Sequence, residues 1–600
     1  MSNVEISPEQ IHAFAPAAQG GAGNAASPEA INRLSRQMAR PKLSERRQRK
    51  ALDALKSSLN AIRAGDFTRG AERALDALKL DETHGLAWHV LAICREKAGD
   101  FGQALQAYEA AIQLLPNETD VAHDLGRLAQ QLGYLDIAEK LLLKYLTVEP
   151  GHVEATSNLA CVQRDQKRYG DAVETLRALL AIHPEAAALW NTLGTVLSDQ
   201  GEMATALPFF EEALRLDPDF AKARYNRANV RHPLGDAEGA LEDLDAALPG
   251  AESAYETAMM RLARALLLMT LGRIPEGFEA YEVRLDYHLP ESIRIVVDAP
   301  RWDLKPESLT GKRLLIVGEQ GIADEMLFGS IIGSAIDAVG ADGQVLVAVD
   351  ARMVGLFQRA YPAAVVGEHK AIKLEGRLTR YVPFAEEVAA RDGPIDCWVP
   401  MASLMAPFRP SLDSFPTTRG YLPADPARVA HWRTELAKLG PGPKVGLHWK
   451  SLLLTGSRAR YFSNFDRWAP VLTTPGAVMI NLQCGDVSED LAQAEAAGAS
   501  VWTPPIDLKN DLEDLAALSV ALDVVIGPGI AGTNLACAVG ANTWMTMAPD
   551  DWHCLGTEGY PFYPGARLFA RAFGDWSDVI ARFRAELDRM VAEQARGNAA

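Results

Sequence analysis

Cysteine is scarce: six in 600 residues, at positions 94, 161, 397, 484, 537 and 554, with no CxxC or CxxH spacing. This excludes a zinc site of ordinary spacing and a disulfide framework, and it fits reduced thiols in a cytosol. Long apolar runs are missing too. Nothing approaches the roughly 20 residues needed to cross a bilayer, so no stable membrane insertion is expected. The first 27 residues are rich in Ala, Gly and Pro but lack the basic start and apolar block of a secretory signal, which makes a cytoplasmic location the expectation. Positive charge is in deficit, with 60 Lys and Arg against 78 Asp and Glu and a net charge of −18. Such a chain repels phosphate backbones, and nucleic acid is not an expected partner. The one basic cluster, 36–50 with its SERRQRK, reads as a solvated helix end or as a contact for an acidic surface.

What the chain does have is a period. Ala104, Ala138, Ala172, Ala206 and Ala240 recur every 34 residues, as do Pro116, Pro150, Pro184 and Pro218. Each small Ala lets two antiparallel helices approach, and each Pro stops the second helix of a pair. Around these anchors stand Trp88, Leu91, Tyr108 and Ala111 in one unit, and Trp190, Leu193, Phe210 and Ala213 in another. The pattern resembles the tetratricopeptide repeat, and about seven units cover 51–285, behind a flexible segment at 1–50. Such an array is suited to holding a peptide or protein. Its aromatic residues read as packing between helices. Asn158, Asn191 and Asn226 are acceptor-binding candidates on the inner face, unless they are simply solvated.

After a Pro-containing linker at 286–311, short β-rich runs alternate with helical stretches, the mark of a parallel sheet. Strands are predicted at 314–317, 345–349, 445–449, 478–482, 524–526 and 543–547. They fall into two doubly wound, Rossmann-like blocks, 312–425 and 426–600. The fold class is therefore α + α/β multidomain, a helical solenoid followed by two α/β halves. Ligands of such sheets bind at the carboxyl ends of strands. Two strand-to-helix turns are candidates: Val317-Gly318-Glu319-Gln320-Gly321-Ile322-Ala323-Asp324, and Ile526-Gly527-Pro528-Gly529-Ile530-Ala531-Gly532-Thr533-Asn534. The glycines of the second allow backbone amides to crowd around a phosphate at a helix N-terminus, although tight turns use Gly for its own sake.

Pro300-Arg301-Trp302, Gly311-Lys312, Glu319-Gln320-Gly321 and Asp324 resemble the opening of the glycosyltransferase module found behind tetratricopeptide arrays in bacterial proteins. Val445-Gly446-Leu447-His448-Trp449-Lys450, Leu482-Gln483-Cys484-Gly485, Asn534-Leu535-Ala536 and Arg567-Leu568-Phe569 continue the likeness. The layout is similar to that of O-linked N-acetylglucosamine transferases and of bacterial flagellin glycosyltransferases. The resemblance implies a GT-B pair of halves, a nucleotide-sugar donor, and transfer to Ser or Thr of a protein acceptor, best read as flagellin, held by the array. In the flagellin group the donor is typically a CMP-activated nonulosonic acid. Many relatives read Asp-Thr-x-x-x-His where this chain has Gly529, Ile530 and Asn534. The donor-phosphate His is thus Asn, which fits an unusual donor or a degenerate module.

Sugar transfer to a hydroxyl needs a base at the acceptor oxygen and positive charge or N–H dipoles at the leaving phosphate. Asp324 matches the position resembling the catalytic base of heptosyltransferases; it also reads as a helix-start acid. Glu319 is the alternative base. The donor-binding candidates are Gly321, His448, Lys450, Arg458, Gly527, Gly529, Gly532, Thr533 and Asn534, with Arg460 a rival to Lys450. Trp552, Tyr560 and Tyr563 are candidates for the pocket wall or the core. Asp550 and Asp551 are adjacent rather than spaced as DxD, so metal independence and no cofactor are expected. The remaining alternatives are a lipid or polysaccharide acceptor, and a non-catalytic scaffold.

Overall fold

The computed structural model describes residues 44–374, 376–452, 461–572 and 574–599. Most of the segment expected to be flexible, 1–43, lies outside the described residues, and a helix already begins at Glu45. Arg458 and Arg460 also lie outside them.

The array consists of helical hairpins. Its helices run Glu45–Arg63 and Phe67–Leu80, Gly85–Lys97 and Phe101–Leu114, Thr119–Gln131 and Leu135–Leu146, then Val153–Asp165 and Tyr169–Leu180. They continue as Ala187–Gln200 and Met203–Leu216, Ala221–Arg231 and Ala237–Ala247, then Ala254–Thr270 and Ile274–Ala280. The five periodic alanines are all fully buried, so each is a place where helices touch. Asp66, Asp100 and Asp236 cap second helices by accepting from the N–H three residues on. The turn inside each hairpin needs a left-handed residue, and Gly65, Gly99, Gly133, Gly201 and Gly235 supply it at the 34-residue spacing. The same position in the fourth hairpin is Lys167, at φ 65°. Replacing Lys167 by Gly should raise stability by about 1 kcal/mol, because the Cβ penalty is removed. A denaturant titration would show it, and a loss instead would mean that the ammonium's contact with the Tyr169 ring, at 5.9 Å, outweighs the strain.

Compactness divides the chain after Thr192, inside the array and well before the sequence period ends near 285. The reason is in the core of the second unit. Ala265, Met269, Ile274, Phe278 and Tyr281, from the last repeat, share one buried cluster with Leu314, Ile316 and Phe328 of the α/β region.

The described residues of that region form thirteen strands. The first sheet has the order β4 (Val365–Glu368), β3 (Gln344–Val349), β2 (Arg313–Val317), β7 (Cys397–Pro400), all parallel. The second runs β10 (Val501–Trp502), β9 (Val478–Asn481), β8 (Lys444–Leu447), β11 (Val524–Gly527), β12 (Thr543–Met547), β13 (Ala566–Ala570), again all parallel. Counted from its own first strand, the second sheet reads 3-2-1-4-5-6, the doubly wound order, with its switch point between β8 and β11. The six strands expected from sequence are present. A small sheet of β1 (Arg294–Val296), β6 (Arg377–Tyr381) and β5 (Lys370–Leu374) was not expected, nor were β4, β7, β10 and β13.

The chain crosses between the two sheets at 419–422, where Tyr421 and Leu422 donate to the carbonyl of Ala538 at 2.8 and 2.9 Å. Gly420 lies so close to Gly540 that a Cβ on it would stand 2.3 Å from the Gly540 nitrogen. Backbone cannot rotate aside as a side chain can. Gly420→Ala should cost about 1–3 kcal/mol through forced backbone shifts, read as a lower melting temperature; an unchanged melting temperature would show that this crossing is looser than its geometry implies.

Candidate active site

The loop after β2 is held from inside the protein. Gln320 adopts a left-handed φ of 58°. Arg380, buried, donates to the Gly318 carbonyl and, at 2.7 Å, to that of Gln320. Glu319 points inward at 2% exposure and receives both arms of Arg284, at 2.7 and 3.0 Å, plus the Ala402 N–H at 2.9 Å. Both of its carboxylate oxygens are engaged by these partners. Asp324 lies in the first turn of the helix Ile322–Phe328, where its Oδ2 accepts from the Gly321 N–H at 3.0 Å, a capping-box contact. Burial raises its carboxyl above the usual aspartate value, opposed by the Gly321 N–H and by His553 and reinforced by the charge of Glu319.

At the switch point of the second sheet, His448 follows β8 and is 2% exposed. Burial pushes its imidazole down to about 3, so it stays neutral. Its ring lies against Gly532, where a Cβ would come within 2.2 Å. Lys450 pairs with Asp490 at 2.5 Å, and the Trp449 indole donates to the same carboxylate. Gly527 ends β11, and Pro528 and Gly529 lead on to the helix Ala531–Ala538. Thr533 is fully buried, and Asn534 turns its amide N–H back to the Ile530 carbonyl at 2.9 Å. The Asn534 Oδ1 has no hydrogen-bond partner among the described residues, nor do His448 Nε2 and Thr533 Oγ1.

These elements surround one cavity of about 480 Å³. Asp324 lines it from the first half, Gly529 and Asn534 from the helix after β11, and Asp550, Trp552, His553 and Tyr560 from the segment after β12. Asn229 and His232, which belong to the repeats, line it as well. The structure thus brings Asp324, Gly529 and Asn534 together, with His448, Gly532 and Thr533 next to them. Lys450 and Glu319 do not line the cavity, and Tyr563 is buried at 1% exposure. In the array, the Asn158 Nδ2 has no partner among the described residues, Asn191 is 7% exposed, and Asn226 donates to the Thr195 hydroxyl at 3.4 Å. Sequence reasoning missed Arg571, which also lines the cavity. Its place at a strand's carboxyl end was hidden because β13 itself was not expected from sequence.

The tetratricopeptide-repeat family model matches residues 55–119, 123–188 and 191–256. Human protein O-mannosyl-transferase TMTC1 is 27% identical over 141 residues, 23% of this chain and 16% of that protein. A solved tetratricopeptide repeat protein from Parabacteroides merdae superposes with a TM-score of 0.34 at 14% identity, over 39% of this chain and 91% of its own. Protein FlbA of Caulobacter vibrioides is 45% identical over 563 residues, 93% of each chain. With that identity over a match covering nearly the whole of both chains, the chain belongs to the FlbA family.

Proposed function

We propose that this chain is a protein O-glycosyltransferase of the GT-B kind, with 312–425 and 426–600 as its two halves and the repeats as the acceptor holder. The observation that carries this reading is the shared cavity: a carboxylate from one half, Asp324, faces the Gly-rich turn and helix N-terminus of the other, at Gly529 and Asn534. A donor phosphate sits at that helix N-terminus, where unpaired N–H groups and the helix dipole favour negative charge. Asp324 accepts the proton of an acceptor hydroxyl. The oxygen bonds to the anomeric carbon, and the bond to the phosphate breaks with its electron pair going to the leaving phosphate. His448, being neutral, supplies shape and a hydrogen bond but no charge.

Glu319, satisfied by Arg284 and Ala402, is left out of this chemistry. Lys450, its ammonium held by Asp490, is left out as well, and Asn158, Asn191 and Asn226 are assigned to the acceptor chain. Flagellin as acceptor and a CMP-activated nonulosonic acid as donor are supported by the sequence resemblance. The test is the intact mass of flagellin from cells carrying the wild-type gene, a deletion, or Asp324→Asn. Loss of a glycan mass in both altered strains supports the reading, and an unchanged mass in all three removes flagellin as acceptor.

A further inference from the structure

Arg571 stands just past β13, is 5% exposed and lines the cavity. Its guanidinium has been given little to bind. Nη1 reaches the Ala572 carbonyl at 3.3 Å and Nη2 the Tyr461 carbonyl at 3.5 Å, both at the long limit of a hydrogen bond, and Nε has no acceptor among the described residues. The Trp576 ring, 4.6 Å away, covers one face of the guanidinium. No ion pair joins it to a carboxylate among the described residues. Asp550, the acid that bears on it, gives one oxygen to the Tyr461 hydroxyl. Burial pushes the Arg571 guanidinium below its usual value, against the pull of Asp550 and Tyr461.

A buried cation without an anion is costly to fold, and the cost is recovered when a ligand brings the counter-charge. Of the other buried arginines, Arg284 has Glu319, Arg380 has Glu325 and two carbonyls, and Arg409, with no carboxylate among the described residues, donates to the Ser334 hydroxyl and to the Phe408 and Ser330 carbonyls away from the cavity. Arg571 differs in facing open volume. We propose that Arg571 is the oxyanion-binding residue of this cavity, its planar fork taking two oxygens of a carboxylate or phosphate on the bound co-substrate. The assignment deepens the transferase reading and rests on it for the nature of the co-substrate. It places an anion-reading group at the β13 side of the pocket, distinct from the helix N-terminus after β11.

Calorimetric titration of the full chain tests it, with inorganic pyrophosphate, cytidine 5′-monophosphate, cytidine, N-acetylneuraminate and its methyl ester as probes. Arg571→Gln should weaken oxyanion binding by about tenfold or more. Arg571→Lys, which keeps a charge over Trp576 but loses the fork, should fall between, and it carries the test if the Gln variant melts early. A loss confined to pyrophosphate and the nucleotide identifies a phosphate as the ligand group. A loss confined to N-acetylneuraminate, with the ester and cytidine unaffected, identifies a carboxylate. Wild-type affinity for every oxyanion in Arg571→Gln, or no oxyanion binding by the wild type, overturns the inference. Oxyanion binding through Arg571 without transfer from any nucleotide sugar would leave the inference standing and remove the transferase reading. Transfer by Arg571→Gln with unchanged kcat and KM would do the reverse.

Discussion

Asp324→Asn is expected to lower sugar transfer by about 10²–10⁴-fold, the range a positioned general base contributes, without weakening the fold. The choice of Asn matters because Asp324, proposed as the base, is also a helix cap. Its Oδ2 caps the helix Ile322–Phe328 by accepting from the Gly321 N–H. An amide oxygen can still accept that bond, whereas Ala would lose it at a cost of about 1 kcal/mol. The Asn variant therefore separates proton acceptance from helix capping. The pH dependence has a definite sign. Burial raises the Asp324 carboxyl, so its protonated, inactive form persists to higher pH than for an exposed aspartate. In the wild type kcat/KM should rise with pH through that raised value and then level. The residual rate of Asp324→Asn should lack this limb. A variant with wild-type kcat would end the assignment of Asp324 as base.

Arg284→Ala should destabilise the second unit by about 3–5 kcal/mol, the cost of removing one partner from a buried ion pair. Arg284 and Glu319 are each about 2% exposed at the side chain, and the pair ties the last turn of the repeats to the loop after β2. Arg284 also donates to the Ser403 hydroxyl at 2.8 Å, and Glu319 accepts from Ala402. Removing the guanidinium strands a carboxylate with one N–H for company. Glu319→Ala should cost a similar amount, and the double variant less than the sum, since the stranded charge is then gone. Because the chain has two units, the measurement is the unfolding transition assigned to residues 193–600 rather than a single global midpoint. A change below about 1 kcal/mol would contradict the buried pairing. Glu319→Gln, at a temperature where it remains folded, should keep the pH limb of transfer that Asp324→Asn loses.

The repeats were legible because their physics is local. A small Ala and a stop Pro each recur at 34 residues, and Ala104 and Pro116 can be read without tertiary knowledge; the left-handed turn at Gly99 came only with the structure. The strands that were read, such as β2, β3 and β11, are largely apolar runs buried on both sides. Those that were missed are short or half polar: β10 has two residues, and β13, Ala-Arg-Leu-Phe-Ala, carries an Arg. The loops carrying Asp324 and Asn534 were legible because strand, Gly turn and helix are contiguous in sequence. Partnership was not. Glu319 reads as a possible base until Arg284, 35 residues earlier, is seen to occupy it. Lys450 reads as a phosphate ligand until Asp490, 40 residues later, is found at 2.5 Å. Arg571 looks like any strand-end Arg, and its lack of an ion-pair partner among the described residues is a property of the folded cavity alone. The last repeats hide a further fact of the same kind, that Asn229 and His232 help wall the cavity.

Reconstitution tests the central claim most directly: the purified full chain, purified unmodified flagellin and a panel of nucleotide sugars, read by intact mass. The account predicts that one donor adds its sugar mass to flagellin, with release of the nucleotide, and that Asp324→Asn abolishes the addition. Flagellin of unchanged mass with every donor, while the chain binds or consumes one of them, would contradict it.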